Sequence, residues 1–378
     1  MKDVFVIADN IVSPLGVTSA ENFLRLTKSD SGIALHNRPS MSAQPFYASL
    51  ISDTLLAGKS QGPPFTRFEQ MLIASIRDAL QQCKIDSSDP RMVCILSSTK
   101  GNISLLENET GEQTPYGRIG LPSSAALIRE HIGFRHLPLM VSHACISGML
   151  AIITGMRLIR AGRYDHAVIA GADTISRFVL SGFQSFQAIS PEPCQPFDAK
   201  RKGITLGEAA ATVILSAFPP KGRMALRIES GSVSNDANHI SGPSRTGKEL
   251  YFAIRAAMAE AAVSPDEIDF ISAHGTATLY NDEMEANALN LAGLQSVPLN
   301  SLKGYYGHTL GAAGLVESVI SLHSMKESLL IPTLGFEEAG TSQPVRVCTR
   351  VTAGSYQRCL KTASGFGGCN AAMLMSRE

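Results

Sequence analysis

One cysteine in this chain has neighbours that suit a nucleophile. In VSHACISGML, residues 141–150, Cys145 follows the strand-like LPLMVS and precedes ISGMLAIITGMRLIR. That second stretch is apolar around most of a helical circumference, as expected of a helix in the protein centre. Cys145 would stand at its N-terminus, where unpaired backbone N–H groups and the helix dipole stabilise a thiolate. A sharp strand-to-helix turn would also present the side chain, as in other nucleophile elbows. Gly148 permits close approach by a neighbouring backbone. Free cysteines are equally among the most buried residues. On this stretch alone a nucleophile and a packed core thiol are balanced readings.

A thiol nucleophile needs groups that handle protons and developing charge. His274 lies in ISAHGTATLYND, a strand running into a loop, followed by Thr276 and Thr278. His308 lies in SLKGYYGHTLGAAG, five residues after Lys303 and just before a Gly/Ala-rich helix start. Each histidine taken singly reads as structural. Together with Cys145 they favour a Cys-His-His centre. Their spacing is not that of a zinc finger, and the glycine loops match neither a P-loop nor a dinucleotide fingerprint. His143 either fills space beside Cys145 or alters the thiol's surroundings. Asp198 and Lys200 lie in a turn and read as structural or rim residues.

Such groups must be carried by a folded frame. The chain has 378 residues, 44% of them hydrophobic, enough for a large core or two packed halves. Strand-like segments at 3–8, 91–98 and near 211–216, with HAVIAGAD, ALRIESGSV and IDFISAHG, alternate with helical ones. The helical stretches include RFEQMLIASIRDALQQCKI, residues 246–262, NDEMEANALNLAG and GAAGLVESVISLHSMKES, while NIVSPLG reads as a turn. SPDE at 264–267 is a capping-box pattern. This alternation predicts an α/β fold with covered sheets. The midpoint falls near 219–222 with no low-complexity linker, so halves 1–220 and 221–378 are expected to share an interior. Residues 100–120 read as surface loop.

Composition narrows the function classes. The 33 basic and 33 acidic residues balance, which gives no global argument for nucleic acid or an anionic membrane. The N-terminal apolar run is short and interrupted by Asp3 and Asp9, unlike a signal peptide, and no run of eighteen apolar residues predicts a spanning helix. Seven scattered cysteines without a CxxC pair suit a reduced, cytoplasmic protein.

In this order, HACISG, AHGTATLYND, SLKGYYGHTLGAAGLVES and SGFGGCNA resemble the motifs of β-ketoacyl-acyl carrier protein synthases. These are condensing enzymes with the thiolase fold, and the resemblance runs from SPLG through PFDAKRKGITLGEAAA to the C-terminus. It implies a layered α/β fold of two similar halves, with mixed sheets and central buried helices. It implies that Cys145 takes an acyl primer as a thioester. His274 and His308 would support decarboxylation of a malonyl-carrier, and Lys303 would pair with Glu317. Phe366 would be the gating phenylalanine, its N–H and that of Cys145 forming an oxyanion hole. Thr276 and Thr278 would contact the pantetheine arm. Glu285 matches an acidic position after the histidine motif; the resemblance gives it and Asp282 roles in organising the loop or a salt bridge, beside the bland reading of a solvated helix face.

The implied chemistry needs no bound cofactor and no metal, since substrates arrive on the phosphopantetheine of acyl carrier protein. The implied assembly is a homodimer or a heterodimer with a related subunit. Cys369 stands where threonine is frequent, and Ser364 where phenylalanine is frequent. The chain is also somewhat short, consistent with trimmed loops around 40–120. These departures point toward a specialised polyene or polyketide-like lipid pathway. Two alternatives stand beside this reading: a coenzyme A-dependent thiolase-type acyltransferase using Cys369, and a non-catalytic chain-length or scaffold subunit.

Overall fold

In RMVCIL, Val93 and Ile95 face one core, while Met92, Cys94 and Leu96 face another. Successive side chains of a strand point to opposite faces, so a strand apolar at every position must be covered on both. The same alternation recurs along 166–173 and 209–216. A layered arrangement follows directly from these runs.

The computed structural model describes residues 2–56, 65–107 and 116–378. Its main sheet is built, in chain order, from β1 (Phe5–Val12), β2 (Met92–Ser97), β3 (Leu139–Val141), β4 (His166–Asp173), β5 (Ala209–Ser216) and β6 (Leu226–Asn235). It continues with β7 (Phe270–Ser272), β8 (Pro298–Asn300), β9 (Arg346–Val347), β10 (Arg358–Gly365) and β11 (Cys369–Arg377). The spatial order is β9-β8-β7-β10-β11-β6-β1-β5-β4-β2-β3, with parallel and antiparallel neighbours. Only Phe5↔Arg227 and Val6↔Leu226 join β1 to β6. The strands before and after that seam therefore form two half-sheets.

Among the helices of the described residues, those that flank or separate the two half-sheets include α1 (Arg67–Cys83), α2 (Ser147–Arg160), α3 (Lys248–Ala261), α4 (Leu279–Leu291) and α5 (Ala313–Glu327). α1 opens with a capping box, Thr66 and Glu69 each bonding the other's backbone N–H. It covers the outer face of the first half-sheet, and α3 covers the outer face of the second, with α4 against it. α2 and α5 pack on each other and touch strands of both halves. A Cβ at Gly148 would lie 2.8 Å from the Gly311 carbonyl oxygen and 3.0 Å from the Leu315 nitrogen, so this glycine sets how closely the α5 segment approaches α2. Among the described residues, no helix is long and apolar enough to cross a membrane.

Three sequence expectations need adjustment. The first strand runs over Phe5–Val12 rather than 3–8, because its antiparallel pairing with β5 continues to Val12↔Ala210. The strand expected near 211–216 begins at Ala209 for the same reason. The segment read as surface loop at 100–120 is partly core: Asn102 is buried and bonded to Glu69 and Ser124. Residues 108–115 of that segment, and 57–64 of the loops expected to be trimmed, lie outside the described residues.

Candidate active site

The turn from β3 into α2 presents Cys145. Ala144 adopts φ 46°, a left-handed conformation costing an L-residue roughly 1–2 kcal/mol. Ser147 holds that turn: its Oγ accepts from the His143 N–H at 2.7 Å and donates to the Ala144 carbonyl at 2.6 Å. α2 starts at Ser147 with Ile146 as its cap, so Cys145 precedes the cap rather than occupying the first helical position. The Cys145 side is closed by the β10–β11 turn, which comes so near that a Cβ at Gly365 would lie 2.9 Å from the Cys145 nitrogen.

Both histidines converge there. His308 Nε2 lies 3.0 Å from Cys145 Sγ, and the His274 ring stands nearly perpendicular to that of His308 at 5.2 Å. The sulfur and one ring nitrogen of each histidine all fall within 4.8 Å of one another. Chain separations of more than a hundred residues are closed by β7 carrying His274 and by the short helix Lys303–Tyr306 leading to His308. The His274 loop is fixed from α4: Glu285 accepts from the His274 and Gly275 N–H groups, both at 2.8 Å, and Asp282 accepts from the Thr276 N–H at 2.8 Å. Gly275 has φ 39°, and a Cβ there would lie 2.6 Å from the Ser301 Cβ, so only glycine fits.

Two buried lysines set the electrostatics. The Lys303 ammonium donates to the His274 carbonyl, contacts His274 Nδ1 at 3.4 Å and pairs with Glu317 at 2.6 Å. An ammonium only donates, so Nδ1 is the acceptor and a neutral His274 ring carries its proton on Nε2. Glu317 meets a second ammonium, Lys361, at 2.8 Å through its other oxygen. Burial first, and then these cations, hold His274 and His308 well below the usual histidine range. Both rings are therefore neutral at neutral pH. Burial pushes Cys145 up to about 12, against the opposing influence of Lys303 and the Phe366 N–H. The resting pair is thus a thiol beside a neutral imidazole, where the sequence suggested a thiolate. Desolvation of the sulfur outweighs the nearby helix end. Replacing Glu317 with alanine would strand two buried ammoniums, and should destabilise the fold by about 3–5 kcal/mol. A lowered denaturant midpoint with an unchanged slope would report it.

The cluster lines a cavity of about 460 Å³, together with Thr276, Thr278, Ser364 and Phe366. Phe366 stacks on Phe183 at 5.6 Å and meets Phe186 edge-on at 5.4 Å. An aromatic pair of this kind contributes roughly 0.5–1.5 kcal/mol. If Phe366 swings as a gate, Phe186→Ala should speed acylation of Cys145 about two- to tenfold, read by rapid-quench mass spectrometry. An unchanged rate would detach Phe186 from the gate.

Comparison with known proteins decides the family. Residues 1–218 match the β-ketoacyl synthase N-terminal domain, and residues 225–337 match the β-ketoacyl synthase C-terminal domain. The chain belongs to the β-ketoacyl synthase family. As a member it is a ketosynthase-type condensing enzyme acting on carrier-tethered thioesters. Among curated proteins, Nodulation protein E of Rhizobium leguminosarum bv. trifolii is 32% identical over 67% of this synthase and 65% of its own length. Among solved structures, the ishigamide ketosynthase/chain length factor superposes with a TM-score of 0.92 at 25% identity, covering 99% of each chain. The ketosynthase ApeO in complex with its chain length factor ApeC, from Xenorhabdus doucetiae, gives 0.87 at 25% identity, covering 100% of this synthase and 98% of that chain.

The remaining sequence candidates of the synthase fall as follows. Glu285 and Asp282 are buried under the His274 loop rather than on a solvated helix face, and burial raises Asp282 to about 6. Asp198 is buried, and accepts from the N–H groups of Glu337 and Glu338 at 2.7 and 2.9 Å, while Lys200 is exposed. His143 is exposed, and what it gives the elbow is its backbone N–H. Cys369 is buried but does not line the cavity. Lys361 and Phe186 escaped the sequence reading. A lysine within the strand segment CLKTA was the available sign for Lys361; nothing in SFQA singled out Phe186.

Proposed function

We propose that this synthase is an elongating enzyme that loads an acyl group on Cys145 and condenses it with malonyl-acyl carrier protein. The observation that carries this reading is the convergence of Cys145, His274 and His308 within 4.8 Å on the wall of a cavity. In the first half-reaction the sulfur attacks the carrier thioester while His308, at 3.0 Å, takes the thiol proton. The proton passes to the departing carrier thiol, and the N–H groups of Cys145 and Phe366 hold the transient oxyanion. In the second, the malonyl thioester oxygen accepts from Nε2–H of His274 and, once the neutral His308 ring has shifted its proton from Nδ1 to Nε2, from that ring as well. Carbon dioxide leaves, its bonding pair becomes the enolate, and the enolate carbon attacks the acyl group on Cys145. The sulfur departs as a thiolate when the tetrahedral intermediate collapses, and takes one proton from water to restore the resting thiol.

Thr276 and Thr278, whose hydroxyls share a 2.8 Å hydrogen bond on the cavity wall, hold the pantetheine arm in this scheme. The partners are acyl carrier protein and a related subunit, either a second copy or a chain-length factor. Likeness to ketosynthases paired with chain length factors supports the heterodimer and a specialised lipid pathway, polyene or polyketide-like. The chain divides functionally near residue 220, the first half bringing the nucleophile and the second both histidines and the gate. Incubation with a panel of acyl-carriers plus malonyl-carrier, with mass detection of protein and products, tests the reading. β-Ketoacyl-carrier products longer by two carbons are expected; acyl exchange without carbon–carbon bond formation would overturn it.

A further inference from the structure

Lys361 is wholly buried, yet no step above uses it. Its ammonium donates to the carbonyls of Ser272 and Ala273, the two residues before His274, at 3.0 and 3.3 Å, and to that of Thr362 at 2.7 Å. It also faces the Glu317 oxygen at 2.8 Å. The next residue, Thr362, donates its hydroxyl to Glu285 at 2.6 Å, and Glu285 in turn holds the His274 and Gly275 amides. Two consecutive residues of β10 therefore brace the His274 loop, one through the carbonyls entering it and one through the carboxylate beneath it. Burying an ammonium is costly, and a Thr or Met there would complete the strand without the charge.

From this placement we infer that Lys361 is a positioning residue for malonyl decarboxylation, bracing the His274 donor and adding positive charge behind both imidazoles. The inference rests on His274 being the enolate donor. The groups facing the two rings are Lys303 from the helix before His308, Glu317 from α5, Glu285 from α4, Lys361 from β10 and Cys145 from the elbow. Asp173 of β4 lies behind the Gly311 amide beside His308. Lys303 and Lys361 share the carboxylate of Glu317 and Glu285 supplies the second negative charge, so the cluster is neutral overall while each ammonium opposes protonation of the rings. Such a background disfavours imidazolium and favours an enolate oxygen in front of the rings.

The test separates charge from bracing. Lys361→Gln keeps a donor for the carbonyls and removes the charge; Lys361→Met removes both. Each variant is first checked by thermal unfolding, then assayed for malonyl-carrier decarboxylation and, separately, for acylation of Cys145. Decarboxylation should fall about tenfold in the Gln variant, less than the 10²–10³ expected of a direct donor, with acylation within about twofold. Removing a neighbouring cation raises a histidine's pKa. The acid-side midpoint of the decarboxylation profile should therefore move upward by roughly 0.5–1 unit in both variants. A midpoint unmoved in both, or equal losses in the two steps, would overturn the inference. Should neither variant fold, the wild-type profile still decides: an acid midpoint at or above about 6.5 would rule out the charge effect. A His274→Ala arm keeps the two questions apart, because full decarboxylation there refutes the donor assignment whatever Lys361 does.

Discussion

Alanine in place of Cys145 should leave the protein without an acyl adduct and cut condensation by at least about 10⁴-fold. The sulfur is the only thiol among the described residues that lines the cavity, and His308 is within hydrogen-bond reach of it. Malonyl decarboxylation should survive, because the two imidazoles that stabilise the enolate remain. Intact-protein mass after exposure to acyl-carrier, and carbon dioxide release from malonyl-carrier, report the two halves separately. Acyl mass retained on the variant, for instance at Cys369, would place the nucleophile elsewhere and revive the thiolase-type reading. Loss of both activities with an intact fold would mean that the sulfur also orders the histidines.

The second large effect belongs to His274. Removing its Nε2–H donor should slow decarboxylation by about 10²–10³-fold while acylation of Cys145 stays within a few-fold. His308 touches the sulfur directly, so His308→Ala should slow both steps. In the proposed reaction each histidine is a neutral donor, and its folded pKa is depressed by burial and by Lys303 and Lys361. Wild-type decarboxylation should consequently persist below the pH at which an ordinary histidine protonates, and fail only when imidazolium finally forms. Equal slowing of acylation and decarboxylation in His274→Ala would remove the division of labour.

Much of this was legible because local pattern and burial agree. ISGMLAIITGMRLIR is apolar all round, and it does form a central helix. Lys303 and Glu317 were paired by resemblance, and they meet at 2.6 Å. What escaped is long-range. Nothing local in LKTASG says that Lys361 reaches Glu317, 44 positions away in sequence and on another element. Nothing in NDEME says that Asp282 and Glu285 face inward to hold amide groups. α4 has little periodic contrast between its faces, so its buried side could not be read from pattern. The burial that opposes ionisation of Cys145 was not legible, because helix position is written in the sequence, whereas the cavity is assembled from both halves.

The ion cluster behind the histidines draws Lys303, Glu317, Lys361 and Glu285 from four separate elements. No single segment contains it complete, although all four residues lie in the second half of the chain. Loosening any one of these elements leaves a charge unpaired in the interior, which destabilises the other three. Reactivity and tertiary order should accordingly vanish together on heating. The loss of carbon dioxide release and the loss of the aromatic circular dichroism signal are expected at one temperature, and this enzyme should have no half-molten yet working form.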